Sequence, residues 1–177
     1  MDHEEALAKL KSGNAAYIEN GRFTGDVSQK KREETAGGQF PYAAVVCCSD
    51  SRVIPEALFG AGTGELFVVS TAGNTVGANE LGSLEYAAAH LGVKTIVILG
   101  HTNCGAVGAA LHGEFEGPAG VITRRIAAAI GNEKDAKRAA VLNVREGAAA
   151  CRAAFEARGV QVVGALYDLC TGKVEFL

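Results

Sequence analysis

The 177-residue sequence lacks tryptophan altogether, and aromatic residues make up only 6% of it, so it offers little from which to build a base-stacking surface. An excess of one charge is also missing, because 17 Lys and Arg stand against 20 Asp and Glu, for a net charge of −3. A nucleic-acid partner usually requires a basic excess, so we expect none. Apolar runs of the roughly 18 to 20 residues that a membrane span needs are absent too, so we expect no membrane partner.

The N-terminal stretch MDHEEALAKLK is charged where a signal peptide would be apolar, which favours a cytoplasmic location. Five cysteines are present, and this odd number argues against a secreted disulfide framework. They are expected to be core residues, metal ligands or nucleophiles. Cys47, Cys151 and Cys170 are interpreted as small buried apolar residues, with Cys47 pointing to the opposite side of its strand from Cys48.

A chain of this length can bury one hydrophobic core, so residues 1–177 are expected to form a single domain. Short apolar runs rich in β-branched residues predict strands at 43–48, at 66–71, from Thr95 in TIVILGH, and in VQVVGALYDL, with KVEFL as a fifth at an edge. The strands at 43–48 and 66–71 are both expected to be buried. Helical spacing of apolar residues predicts helices at 4–18, 122–130 and 135–158. Three further helices are predicted: a short one that begins at Pro55, one that ends at Gly92, and one that begins at Gly105. Strands that alternate with helices predict an α/β fold, with a mostly parallel sheet of four to five strands flanked by helices.

Polar side chains follow two of the predicted strands. Cys48, Asp50 and Arg52 come at the end of the first, and His101 and Cys104 follow the third. Ligands of parallel sheets gather at the carboxyl ends of the strands, so the two groups can converge. Two thiolates and one imidazole suit Zn²⁺ and leave a fourth tetrahedral position open for catalysis. A redox pair of Cys48 and Cys104 is the alternative, but it gives the other three residues no role.

Asp50 accepts hydrogen bonds when ionised, so it can hold the proton of a water molecule. It could also compete for the metal. The planar fork of Arg52 is suited to hold that carboxylate in a bidentate pair and keep it off the ion, although a plain surface salt bridge is the alternative. Gly105 could let backbone amides approach an anionic product at a helix start, or it could serve only the turn.

Several short motifs occur along the sequence, some of them at the ends of predicted strands. They are CSDSR at Cys48–Arg52, AGN at Ala72–Asn74, GSLEYA at Gly82–Ala87, GHTNCGAV at Gly100–Val107, LKSGNAAY at Leu10–Tyr17, and YDLCTGKV near the end. Together these motifs resemble those of the β-class carbonic anhydrases. The resemblance covers nearly the whole chain. It implies that Cys48, His101 and Cys104 bind zinc, that Asp50 and Arg52 form the catalytic dyad, and that the reaction is reversible hydration of carbon dioxide to bicarbonate and a proton.

The resemblance also implies a homodimer or homotetramer, in which residues 1–40 form a helical arm that packs on a partner subunit. Ser70 departs from the family pattern, since most members carry arginine there. Two alternatives stay open: a carbonyl sulfide or carbon disulfide hydrolase that uses the same zinc site, and a homologue that binds zinc or bicarbonate without turnover.

Overall fold

A computed structural model describes residues 1–177, the side chain of Glu156 excepted. Its five strands are β1 (Ala43–Cys48), β2 (Leu66–Thr71), β3 (Thr95–His101), β4 (Gln161–Tyr167) and β5 (Val174–Phe176). Its helices are α1 (His3–Asn20), α2 (Gln29–Thr35), α3 (Pro55–Leu58), α4 (Ala78–His90), α5 (Gly105–Leu111), α6 (Gly120–Ile130) and α7 (Ala136–Phe155), with 3-10 turns at Ala72–Asn74 and Glu156–Arg158.

The strands form one sheet in the order β2-β1-β3-β4-β5. The first four strands run parallel, and β5 pairs antiparallel with β4 at the far edge. The predicted single α/β domain with a mostly parallel sheet is confirmed. Because β1 and β3 are neighbours, the residues at their carboxyl ends lie side by side.

Helices cover both faces of the sheet because the central strands are apolar on both sides. One face packs against α1 and α3 through side chains such as Val45, Cys47 and Leu99. The other packs against α4 and α7 through Val46 and Ile98. Cys47 and Cys48 thus face opposite sides of β1, since Cys48 joins a third cluster formed with α5, α6 and α7.

Helix α1 begins at a capping box, in which Asp2 and Glu5 each accept a hydrogen bond from the other's backbone amide. It ends at Gly21, whose left-handed φ of 62° closes the last turn. The side of α1 that contains Ala6, Leu10 and Asn14 is buried against the rest of the same chain.

Two sequence-based expectations are wrong. Strand β2 was expected to be buried, but five of its six residues are half-buried and Ser70 is exposed, because β2 forms the edge of the sheet in this chain. Cys170 is exposed rather than buried, since it lies in the turn between β4 and β5, where Asp168 accepts hydrogen bonds from backbone amides. Cys151 is fully buried on α7, as expected.

None of the helices in the part of the chain that the structure describes is both long enough and apolar enough to span a bilayer.

Candidate metal centre

Three potential metal ligands converge at the carboxyl edge of the sheet. Cys48 ends β1, His101 ends β3, and Cys104 immediately precedes α5. Their ligand atoms all lie within 4.8 Å of one another, and all three residues are buried. Thus the structure brings together side chains from two stretches of sequence that meet only because β1 and β3 pair.

The spacing of the two sulfur atoms fits a tetrahedral ion. Two sulfur ligands at about 2.3 Å from one zinc ion lie about 3.8 Å apart at the tetrahedral angle. Cys48 Sγ and Cys104 Sγ are 3.9 Å apart. The two side chains could therefore hold zinc with little movement.

His101 has one ring nitrogen engaged and one without a partner. Its Nδ1 lies 2.9 Å from the carbonyl oxygen of Thr102, which can only accept, so Nδ1 carries the hydrogen. Nε2 is buried, and no hydrogen bond to it is formed by any described residue. A buried polar atom without a partner is unfavourable, and a metal ion would satisfy its lone pair. The contact at Nδ1 is the usual way in which a ligating histidine is oriented.

The two thiols are coupled by their short separation. Hydrogen bonding from Cys104 lowers the pKa of Cys48, while the hydrogen bond to Cys48 and burial raise the pKa of Cys104. Burial alone would lower the pKa of His101, but the adjoining Cys48 raises it above its ordinary value. One thiolate therefore forms readily, and a second negative charge beside it requires a cation. This chemistry also fits a divalent metal.

Asp50 and Arg52 form a bidentate ion pair beside these ligands. Arg52 Nε donates to Asp50 Oδ1 at 2.8 Å, and Arg52 Nη2 donates to Oδ2 at 2.6 Å. These bonds hold the pKa of Asp50 well below its usual range. Asp50 Oδ2 lies 3.9 Å from His101 Nε2, so the carboxylate faces the ligand cluster while both its oxygens are occupied by the guanidinium.

The loop that carries His101 and Cys104 is fixed at several points. The Thr102 backbone amide donates to the Tyr167 carbonyl at 2.9 Å, and Thr102 Oγ1 accepts from the Leu169 amide at 3.1 Å. Arg52 Nη2 also approaches the carbonyl oxygen of Asn103 at 3.4 Å, which links this loop to the one after β1.

Gly105 begins α5 and is exposed. A Cβ atom built on Gly105 would meet no described atom within 4 Å, and the residue does not have a left-handed φ. Packing within this chain therefore does not require glycine at this position, and the turn does not require it either.

The Ala72–Asn74 turn adds a contact to the centre that the sequence did not predict. The Gly73 amide donates to Cys48 Sγ at 3.2 Å, and the Gly73 carbonyl accepts from Asn143 Nδ2 of α7 at 2.8 Å. A signal for the first contact was present, because a Gly-Asn turn directly follows the carboxyl end of a strand. For Asn143 the only signal was a polar residue within the buried stripe of α7.

Ser70 lies at the rim of the centre, where its hydroxyl donates to Ser49 Oγ at 3.1 Å. Both serines are exposed. At position 70 the chain thus has a neutral hydroxyl group, bonded to a second neutral hydroxyl on Ser49.

The fold, the ligand cluster and the ion pair beside it define a class of protein. Residues 43–174 match the family model described as carbonic anhydrase. The chain belongs to this family, and its structural neighbours place it in the β class.

Individual relatives agree with this assignment. Carbonic anhydrase 2 of Mycobacterium tuberculosis is 44% identical over 106 residues, which are 60% of this chain and 51% of that protein. The chain thus spans about half the length of the curated relatives it matches first. The β-carbonic anhydrase CafA of Aspergillus fumigatus superimposes with a TM-score of 0.74 at 30% identity, covering 98% of this chain and 89% of that one. A tetrameric β-carbonic anhydrase of Sordaria macrospora gives 0.71 at 30% identity, covering 99% and 98%.

Proposed function

We propose that this protein catalyses the reversible hydration of carbon dioxide to bicarbonate and a proton, with zinc held by Cys48, His101 and Cys104. The observation that carries the proposal is the convergence of these three ligand atoms within 4.8 Å of one another, next to a carboxylate held by arginine. Membership of the carbonic anhydrase family supports it.

Zinc bound by three protein ligands supplies Lewis acidity, which makes a water molecule acidic enough to act as a nucleophile near neutral pH. The chain's own residues would then control where protons and substrate lie. Asp50 Oδ2 is the carboxylate oxygen that faces His101, so it can accept the hydrogen of water entering the site. Because the pKa of Asp50 is lowered, the carboxylate is ionised and acts only as an acceptor.

Arg52 would act by holding Asp50. Its two side-chain hydrogen bonds engage both carboxylate oxygens and, with the Arg52 backbone amide bonded to Oδ1 at 3.0 Å, restrict their orientation. A carboxylate so held would accept a hydrogen bond from one direction and would be kept off the metal. The further contact of Arg52 with the Asn103 carbonyl fixes the guanidinium relative to the ligand loop.

Gly105 is proposed as a substrate-binding residue. Its exposed position at the start of α5, with no described atom where a side chain would lie, leaves its backbone accessible beside Cys104. An anionic product such as bicarbonate could approach the amide groups there.

A cytoplasmic location and assembly into a homodimer or homotetramer complete the proposal. The described cysteines are all free thiols, which suits a reducing compartment. Residues 1–40 are proposed to pack on a partner subunit, and their exposed Phe23, Val27 and Phe40 support this. The Sordaria relatives are tetrameric. Sedimentation should show a dimer or tetramer, and a fully active monomer would contradict this part.

Neighbouring cysteines provide a matched test of the activity. Cys48→Ala should abolish stoichiometric zinc binding and reduce carbon dioxide hydration in a stopped-flow assay to the uncatalysed background. Cys47→Ala removes an equally buried thiol from the opposite face of β1, so it should retain both. Zinc-loaded wild-type protein without hydration activity would overturn the proposal. The same assay with carbonyl sulfide and carbon disulfide identifies a hydrolase.

A further inference from the structure

A chain of two buried hydrogen bonds links α7 to a metal ligand. Asn143 Nδ2 donates to the Gly73 carbonyl at 2.8 Å, and the Gly73 amide donates to Cys48 Sγ at 3.2 Å. Asn143 is 5% exposed, and Gly73 and Cys48 are also buried. Neither Asn143 nor Gly73 has a part in the proposed function.

Gly73 is confined from several directions. Its φ of 65° is left-handed, and a Cβ atom there would lie 2.6 Å from Ile126 Cδ1 and 3.0 Å from Ala106 Cβ. Any other residue would therefore be strained by the left-handed backbone and would have to displace the Ile126 side chain. Within this confined turn, the carbonyl bond from Asn143 orients the peptide that follows Gly73, and the Gly73 amide is aimed at the sulfur.

Asn143 lies where the pattern of α7 calls for an apolar residue. Its neighbours on the buried side of the helix are Ala139, Ala140, Val144 and Gly147. A buried amide is unfavourable unless its hydrogen bonds are made, so its bond to the Gly73 carbonyl accounts for its presence. That carbonyl belongs to the turn that contacts Cys48, which connects the amide with the metal centre.

We infer that Asn143 is a positioning residue for the metal centre, which acts through Gly73 on the sulfur of Cys48. This inference rests on the proposed function only in taking Cys48 as a zinc ligand. The amide hydrogen withdraws charge from the sulfur and fixes its direction toward His101 and Cys104. Partners of metal ligands commonly have this effect, and their loss weakens metal binding about 10- to 100-fold.

The test replaces the Asn143 side-chain amide and measures the electronic state of the cysteine sulfur by spectroscopy. Asn143→Leu keeps a similar volume but cannot donate to Gly73. Asn143→Ser, whose hydroxyl is too short to reach the Gly73 carbonyl, is the second variant in case the first does not fold. The matched control is Asn14→Ala, which removes another buried amide whose partners, Leu58, Gly172 and Val174, lie outside the centre.

Two measurements are made on the 177-residue chain. The sulfur-to-cobalt charge-transfer band of the Co²⁺-substituted protein reports the energy of the lone pairs on both cysteine ligands, of which only Cys48 accepts a hydrogen bond from the Gly73 amide. The Zn²⁺ dissociation constant comes from competition with a chromophoric chelator. The Asn143 variants should shift the band to longer wavelength, because a Gly73 turn without its Asn143 bond holds its amide less well aligned with Cys48 Sγ, and a more weakly bonded sulfur holds its electrons less tightly. They should also weaken Zn²⁺ binding about 10- to 100-fold. Asn14→Ala should leave the band in place and the affinity within about twofold of wild type.

A shifted band in either Asn143 variant, with the control unshifted, supports the inference. An unshifted band in the Asn143 variants overturns it, even if affinity falls, because the amide would then act only through general stability. An equal shift in Asn14→Ala also overturns it. The outcome is separate from the proposed activity, since the band can shift in a protein that does not hydrate carbon dioxide.

Discussion

Two Gly-Asn pairs lie in the interior of this protein, and they are used differently. In α1, Gly13 allows the helix to approach the backbone of Phe59, where any Cβ atom would clash with the carbonyl oxygen. Asn14 then makes three hydrogen bonds: its Nδ2 donates to the carbonyls of Leu58 and Gly172, and its Oδ1 accepts from the Val174 amide. This first pair joins α1 to α3 and β5 with its polar groups satisfied.

The second pair, Gly73 and Asn74, lies beside the proposed metal ligands, where the Gly73 amide contacts Cys48 Sγ. Both residues have left-handed backbone, with φ of 65° and 44°. Asn74 is 2% exposed, and its Nδ2 has no hydrogen-bond partner among the described residues. The only other described non-glycine residue with positive φ is Asn103, which precedes the ligand Cys104.

The two Gly-Asn pairs differ in backbone strain and in whether the buried side-chain amide has its hydrogen-bond partners. Left-handed asparagines and unsatisfied buried nitrogens, including His101 Nε2, occur at the carboxyl edge of the sheet around the ligands. The α1 pair, by contrast, is locally consistent. Strain held in place by surrounding structure is a feature of functional sites. Substitutions around Gly13 and Asn14 in α1 should therefore affect the stability of the fold. Substitutions around Gly73 and Asn74 should affect the chemistry of the site.

The largest effect is expected at the centre. Arg52→Ala removes both guanidinium donors to Asp50 and leaves only the backbone amide of residue 52 bonded to Oδ1, so kcat for carbon dioxide hydration should fall about 100-fold or more. The free energy of unfolding should change by less than about 0.5 kcal/mol, since the Arg52 side chain is 55% exposed and such pairs contribute little. Stopped-flow assays and urea unfolding measure the two quantities.

Arg138→Ala is the matched control, because it breaks an ion pair with Glu133 of comparable exposure, away from the metal ligands. It should leave kcat unchanged. Normal turnover in Arg52→Ala would refute the assigned role of the ion pair.

In the α1 region, Asn14→Ala should lower the free energy of unfolding by roughly 2 to 4 kcal/mol, because buried backbone groups lose their partners. Turnover per folded molecule and zinc content should stay at wild-type values. Asn20→Ala, at the exposed end of the same helix, removes only a local bond to the Ala16 carbonyl and should have little effect. If Asn14→Ala reduced kcat without reducing stability, the contrast between the two regions would be wrong.

The smallest effect extends the comparison to two cysteines. The pKa of Cys48 at the centre is lowered, whereas burial in the apolar core raises the pKa of Cys151 from 9.0 to about 11. Between pH 9 and about pH 11 the Cys151 thiol is deprotonated in the unfolded chain and still protonated in the folded chain. The stabilisation is therefore complete below pH 9 and is lost as pH rises to about 11, at roughly 1.4 kcal/mol per pH unit.

Cys151→Ala should make the fall of unfolding free energy with pH shallower by up to this amount, as measured by urea unfolding from pH 8 to 11. Cys170→Ala removes an exposed thiol and should leave the slope as in wild type. Parallel slopes for wild type and Cys151→Ala would show that this thiol does not titrate differently in the fold.

Local patterns predicted the strands well. The bounds of β1 and β2 follow directly from continuous apolar runs that end in small polar residues. The grouping of the three cluster residues with Asp50 and Arg52 could also be predicted from the sequence, because these five residues follow strands whose carboxyl ends meet at one edge of the sheet.

The rest depended on information that local sequence does not contain. The half-exposure of β2 follows from its place at the edge, which the order of strands decides. The contact between Asn143 and Gly73 joins residues 70 positions apart. Periodicity marks Asn143 as unusual on its helix, but only the packing of α7 beside the Ala72–Asn74 turn shows what it contacts.

The separation of the ligands along the chain affects when the ion can be captured. Cys48 and Cys104 are 56 residues apart in sequence and become neighbours only after β1 and β3 have paired. Partly folded chains keep their donors dispersed, so they compete poorly for free ions. If an ion binds at these residues as proposed, loading would be restricted to molecules that have completed their central sheet, and a bound ion would mark a chain whose folding is finished.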